Sequence, residues 1–163
     1  MFEKYTEKLK ELGAAEAVVI SPADVVTAPW VQYRCRFGCD KYGHYRCCPP
    51  NTPTWKETRE ILDSYKTAIL VRDPGWETGR IVGEVSKMLF FDGYYKAMAF
   101  GAGFCTRCKE CLMDACPDKM GVFPSMEACG MDVYATARKQ NLPCEVLPEI
   151  AAPHNAYGLI LIE

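Results

Sequence analysis

Cys105-Thr-Arg-Cys108-Lys-Glu-Cys111 sets three thiols two residues apart, and Cys116-Pro117 follows after four more residues. Thiolates are soft donors that select zinc, copper(I) and iron–sulfur clusters. A loop with thiols at i, i+3 and i+6 curls around a cubane and offers three sulfurs to three of its irons. A second group lies upstream: Cys35, then Cys39, then the adjacent pair Cys47 and Cys48 before Pro49-Pro50. The chain holds ten cysteines, and none of them falls between 49 and 104. Cysteines used only as small core residues have no reason to clump in this way.

The downstream run matches the bacterial ferredoxin pattern C-x2-C-x2-C-x3-C-P with one residue added before the last cysteine. In two-cluster ferredoxins that last cysteine ligates the other cluster. Cys116 can therefore complete the local site or cross to a second, and spacing does not choose. Tetrahedral zinc also takes four thiolates, although zinc ribbons usually present two separated C-x2-C pairs. A disulfide-exchange pair at Cys105 and Cys108 is disfavoured, because a cluster would consume both thiols. The upstream group starts like the radical-SAM pattern C-x3-C-x2-C, but Tyr42 stands where the third cysteine belongs. Neighbouring side chains of an extended segment point opposite ways, so Cys47 and Cys48 do not serve one metal together. One is a ligand; the other packs or binds elsewhere. The stiff Pro49-Pro50 favours Cys48 as the ligand.

The elements that must position these loops follow from periodicity. Phe2, Tyr5, Leu9 and Leu12 recur at helical spacing before Gly13. Ala17 to Ile20, Thr67 to Val71, Lys96 to Phe100, Pro143 to Leu147 and Tyr157 to Ile162 read as strands. Thr54-Trp-Lys-Glu57 is a capping box opening a helix with Trp55, Thr58, Leu62 and Tyr65 along one face. Asp73-Pro74 opens a longer helix that turns Ile81, Val82, Val85, Met88 and Leu89 inward. Gly75, Gly79 and Gly83 on it are either irregular early turns or a close-packed glycine face. Pro124-Ser125 starts a further helix, with Ser125 as N-cap and Glu127 set against the helix dipole. Pro29 to Pro53 shows no period and reads as loop. The expected fold is α/β: a single compact domain over residues 1–163, a small sheet with flanking helices, right-handed crossovers, and two cysteine-rich cluster-binding loops. The second cysteine group then leaves the carboxyl end of a strand, where open α/β sheets usually bind ligands.

Length and charge bound the function. A chain of 163 residues fits one domain, and the formal net charge of −2 argues against nucleic-acid binding. No apolar run is long enough to span a membrane and the charged start does not read as a signal peptide, so the expectation is a cytoplasmic protein with reduced thiols. The dinucleotide, P-loop and zinc-protease fingerprints are missing from the sequence. Arg34, Arg36, Lys41 and Arg46 surround the first group, and Arg107 and Lys109 the second. They read equally as charge that offsets clusters or steers an acidic partner, and as a solvated basic face. Tyr33, Phe37, Tyr42, Tyr45, Phe104 and Phe123 read as water-excluding walls or as ordinary core.

Cys35-x3-Cys39, Tyr42-Gly43, Cys48-Pro-Pro, the Cys105, Cys108 and Cys111 triplet, Cys116, and Pro124-Ser-Met-Glu-Ala-x-Gly-Met-Asp-Val133 together resemble a cysteine-rich domain-of-unknown-function family. Its members are called predicted metal-binding proteins and come mostly from anaerobic bacteria and archaea. The resemblance runs from about Cys35 to the terminal strand. It implies a metal centre held by Cys35, Cys39, Cys48, Cys105, Cys108, Cys111 and Cys116, with Cys47, Cys129 and Cys144 as additions outside the pattern. Seven thiols are one short of two fully cysteine-ligated cubanes. An eighth ligand comes from Cys47, Cys129, Cys144, His44 or His154, or one iron is open; Cys129 and Cys144 read better as core and His44 as surface. The leading expectation is two [4Fe–4S] clusters exchanging electrons with a redox partner protein. The alternatives are an enzyme whose open iron binds a small anion held by Arg34, Arg36 or Arg46, a sensor or scaffold stabilised by its clusters, and a structural zinc protein.

Overall fold

The computed structural model describes residues 1–149 and 154–163. Its centre is a four-stranded sheet of β1 (Glu16–Ile20), β2 (Ala68–Asp73), β3 (Met98–Phe100) and β4 (Ala156–Leu161), in the order β1-β2-β4-β3. Every neighbouring pair is antiparallel, with Leu70 opposite Leu159 and Phe100 opposite Leu159 on its other side. The helices are α1 (Glu3–Glu11), α2 (Pro29–Gly38), α3 (Trp55–Asp63), α4 (Thr78–Phe91) and α5 (Val133–Lys139).

Both faces of the sheet are covered, so one domain of three layers results. On one face Ile69, Val71 and Ile160 pack against Tyr5 and Leu9 of α1 and Ile81, Val82, Val85 and Leu89 of α4. On the other, Leu70, Leu159 and Leu161 meet Leu62 of α3, Val133 and Ala137 of α5, and Met126, Cys129 and Met131 between them. Side chains alternate across a strand, so two-sided cover requires apolar residues at successive positions, as at 68–71 of β2 and 159–161 of β4. That explains why these strands are continuous apolar runs. An unbroken apolar strand is also the usual mark of a parallel sheet, although neighbouring strands here are antiparallel and one crossover, β2–α4–β3, joins parallel strands. The β1–β2 connection is an antiparallel return, not a crossover. β2 and β3 do run parallel on either side of α4, but β4 is inserted between them.

Local signals hold where they rest on capping chemistry. In the box at α3 the Glu57 amide donates to Thr54 Oγ1 and the Thr54 amide to Glu57 Oε2. Asp73 lies a turn before α4; its carboxylate accepts from the Gly75 and Glu77 amides and the Thr78 hydroxyl, and the helix starts at Thr78. The close-packed glycine reading holds at Gly83, where a Cβ would come within 2.6 Å of the Phe123 ring. Ser125 takes the Ala128 amide, but it opens only a single 3-10 turn (Glu127–Cys129); the α-helix beyond that turn is α5, capped by Asp132.

Two further expectations fail. Residues 143–147 form no strand: Cys144 is buried while Val146 on the same side is 76% exposed, so no face exists to pair. The segment is held by the Tyr157 hydroxyl donating to the Pro143 carbonyl. The first part of the aperiodic stretch is α2 rather than loop, opened by Pro29 at its first turn. Its one buried residue is Val31, so the apolar period that announces a helix is missing.

Candidate metal centre

The first cysteine group is built by α2 and the loop after it. Cys35 lies in the last turn of α2 and Cys39 just past its end. The chain then folds back on itself: the Gly43 amide donates to the Pro49 carbonyl, the Cys48 amide to the Tyr45 carbonyl and the Asn51 amide to the Cys48 carbonyl. Gln32, one turn before Cys35, ties this unit down. Its Nε2 donates to the carbonyls of Pro53 and Ala128 at 2.8 and 3.0 Å, and its Oε1 accepts from the Trp55 amide at 2.9 Å. Thr52 Oγ1 also donates to the Ala128 carbonyl. One side chain thus joins α2, the start of α3 and the 3-10 turn at Glu127.

The second group leaves the carboxyl end of β3, as expected. The base of its loop is stitched shut: the Gly101 amide donates to the Pro124 carbonyl and the Met126 amide to the Gly101 carbonyl. Between these ties, Cys105, Cys108, Cys111 and Cys116 line one cavity, and Cys47 lines it with them. The Arg46 amide donates to Cys111 Sγ at 3.3 Å, linking the two cysteine loops directly. An amide aimed at a sulfur stabilises the thiolate and tunes whatever that thiolate holds.

Cys47 and Cys48 are both buried, at 7% and 8% exposure. Burial first, and then the Cys105, Cys111 and Cys116 thiols, push the Cys47 thiol up to about 11, with Arg46 opposing. Burial and then Cys39, Cys47, Cys35 and, last, Cys111 push Cys48 up to about 11. Cys47 lines the cavity of the downstream group. Cys116 stays on the wall of its own triplet's cavity. The other thiols lie elsewhere: Cys129 and Cys144 belong to the apolar core, and burial pushes Cys129 up to about 12. His44 is exposed, and His154 stacks on Trp76 with ring centroids 4.1 Å apart.

The first group borders a separate pocket of about 250 Å³ lined by Trp30, Arg34, Cys35, Cys39, Glu127 and Tyr134. Glu127 Oε2 is buried with no hydrogen-bond partner. Burial drives the Glu127 carboxyl up from its ordinary range, against hydrogen bonds from its own backbone and Ser125. Neither Gln32 nor Glu127 stood out in the sequence as a site residue. Gln32 lies in a helix without an apolar stripe, and Glu127 has the ordinary look of an acidic residue at a helix start.

The surrounding charges and rings are less committed than their spacing suggested. Arg46 pairs with Asp114 at 3.2 Å and Arg107 with Asp118 at 2.6 Å, so both cations on the second cavity have a carboxylate beside them. Arg34 lies over the Trp30 ring. Tyr33 and Phe37, 64% and 67% exposed, stack on each other in solvent and shield nothing. Tyr45 does line the second cavity, its ring 5.4 Å from that of Phe104.

Among the described residues, no three His, Cys, Asp or Glu side chains are close enough together to hold a single metal ion. None of the described helices is long and apolar enough to cross a membrane. The donor set suits a soft-metal centre: thiols from both cysteine loops line one cavity. No curated protein and no solved structure matches the chain. Residues 18–162 match the family described as predicted metal-binding protein (DUF2284), and the chain belongs to that family.

Proposed function

We propose that this metal-binding protein holds two [4Fe–4S] clusters and exchanges single electrons with a redox partner protein in the cytoplasm. The observation that supports this most is the single cavity lined by Cys105, Cys108, Cys111, Cys116 and Cys47, which brings thiols of both cysteine loops together. In this reading Cys35, Cys39 and Cys48 serve the first centre, and Cys105, Cys108, Cys111 and Cys116 serve the second, with Cys47 a fifth thiol on the same wall. A bound cluster supplies a one-electron couple whose potential depends on burial, charge and hydrogen bonds to sulfur. The chain's part is then positional. The Arg46 amide donates to Cys111, the ties at Gly101 hold the second loop to the sheet, and Gln32 holds the first to α3. Exposed Cys39 and Phe104 leave an edge of each loop open to a partner.

The test is anaerobic reconstitution of the full chain with iron and sulfide. About eight irons and eight sulfides per chain with broad visible absorption are expected, as two cubanes require. Binding of one or two zinc ions with no such absorption would overturn the reading in favour of a structural zinc protein.

A further inference from the structure

Of the cations around the cysteine groups, Lys41 pairs with Asp40, Arg46 with Asp114 and Arg107 with Asp118. Among the described residues, Arg34, Arg36 and Lys109 make no ion pair. Arg34 and Arg36 lie together on α2, a helix without a single acidic residue. They meet aromatic rings instead: the Arg34 guanidinium is 5.9 Å from the centroid of the Trp30 ring, and that of Arg36 is 5.4 Å from the centroid of Phe37. Trp30, Tyr33, Arg34 and Phe37 recur at helical spacing and share the face turned away from buried Val31. Trp30 is 43% exposed, and the rings of Tyr33 and Phe37, still more open to water, lie 4.7 Å apart. Trp30 and Arg34 also belong to the lining of the pocket of about 250 Å³ beside the first cysteine group, whose other walls include Met131, Val133 and Tyr134. That pocket is smaller than the roughly 300–1,000 Å³ of small-molecule sites and is the size for one apolar side chain.

We infer that the outer face of α2 and this pocket form the docking surface for an acidic partner protein, which sets carboxylates against Arg34 and Arg36 and one apolar side chain into the pocket. The inference rests on the reading that the chain exchanges electrons with a partner, and it names that partner's chemistry. Exposed apolar patches rimmed by polar groups mark interaction sites, and aromatic residues and arginine are the types enriched where interfaces bind most strongly. Charge selects the occupant. The chain as a whole carries a net charge of −2, so its overall field does not draw an acidic protein; a local patch must, and α2 holds two cations with no carboxylate beside them. A second copy docked symmetrically would set the same two arginines against themselves. A nucleic acid draws its affinity from many neutralised phosphates, which two arginines on one short helix do not supply. Glu127 lines the pocket too, but its Oε2 is closed to solvent. Cys35 is borne by the same helix and exposed Cys39 lies just past its end, so a protein seated here lies directly beside the first cysteine group.

The experiment uses the full chain treated anaerobically with iron and sulfide, with the urea midpoint of each variant showing that it is folded. The probes are two fluorescent helical peptides, one with Leu and Glu at helical spacing and the other identical except for Lys in place of every Glu. By fluorescence anisotropy the acidic peptide should bind wild type about tenfold tighter than the basic one or more, and should weaken as salt is added. The double variant Arg34→Glu, Arg36→Glu should reverse that preference. Trp30→Ala and Phe37→Ala should each weaken the acidic peptide about tenfold. Equal binding of the two peptides to wild type, or a preference that survives in the double variant, would overturn the inference. So would a wild type that sediments as a dimer and turns monomeric in Phe37→Ala, which makes a second copy the occupant. Single-stranded DNA that binds wild type tighter than the acidic peptide, and is lost in the double variant, would overturn it in favour of nucleic acid. A chain that takes up no iron yet shows the acidic preference and its reversal would support the docking surface and sink the cluster reading alone, because anisotropy reads docking without electron flow.

Discussion

Replacing Gln32 by alanine removes three hydrogen bonds at once: two from Nε2, at 2.8 and 3.0 Å, and one to Oε1 at 2.9 Å. The Ala128 carbonyl keeps its bond from Thr52, but the Pro53 carbonyl and the Trp55 amide lose theirs. A net value of about 1 kcal/mol per bond gives a destabilisation of about 3 kcal/mol. For a chain of this size 1 kcal/mol moves the melting temperature by about 2–4 °C, so Gln32→Ala should melt about 6–12 °C below wild type. Gln32→Glu retains an acceptor for Trp55 but turns a carboxylate toward two carbonyls, and should cost at least as much. The functional readout is separate. The three bonds join the helix of Cys35 to the turn of Glu127, so the variant should lose iron from the first centre and keep that of the second. Urea unfolding of the metal-free chain and iron analysis of the loaded chain measure the two effects. A stability loss under about 0.5 kcal/mol, or an even loss of iron from both centres, would refute the clamp as described.

The assignment of thiols to centres predicts that Cys48→Ser lowers bound iron by about half through the first centre, whereas Cys105→Ser does so through the second; matching spectra for the two variants would count against it. The metal-free chain should be sensitive to alkali. Unfolded thiols lose their protons near the ordinary value of 9.0, while folded Cys47 and Cys48 hold theirs to about 11. The unfolded state thus releases protons first, and stability should fall as pH rises from about 9 to about 11, a drop seen as a lower urea midpoint and absent once the thiolates hold metal. Gly130 has φ +77°, and a Cβ there would meet the Trp55 Cβ at 2.5 Å and its Cα at 2.8 Å. Gly130→Ala should therefore cost about 3 kcal/mol or more in the same unfolding assay, since left-handed strain and a backbone clash add.

What could be read from the sequence divides along physical lines. Elements fixed by local chemistry were legible: the Thr54 and Glu57 box, the apolar runs of β2 and β4, and the α1 stripe of Tyr5 and Leu9. Strand direction was not, because burial on both faces gives one apolar signature to parallel and antiparallel sheets alike. α2 escaped because its inward residues near the site are Gln32 and Cys35 rather than leucines. The cysteine pattern marked both loops but not their membership. Which way Cys47 and Cys48 face depends on how the Cys39 to Asn51 loop folds back, and that fold depends on carbonyl and amide bonds with no counterpart in residue type.

The Cys47–Cys48 dipeptide gives the two centres a shared peptide, and this has an electrostatic consequence. Consecutive Cα atoms are about 3.8 Å apart, so thiolates borne on adjacent residues remain close compared with the screening length of about 8 Å at physiological salt. Both are buried, which removes most of the water that would screen one from the other. Negative charge at either centre should therefore make adding an electron at the other less favourable. Emptying the second centre with Cys105→Ser should raise the reduction potential of the first, although Cys105 lines the second cavity and not the first. Raising the salt concentration should leave that rise nearly intact, as screening acts little on buried charge. A first-centre potential that is the same in Cys105→Ser and wild type, measured by redox titration of its resonance signal, would mean that the dipeptide separates the centres rather than coupling them.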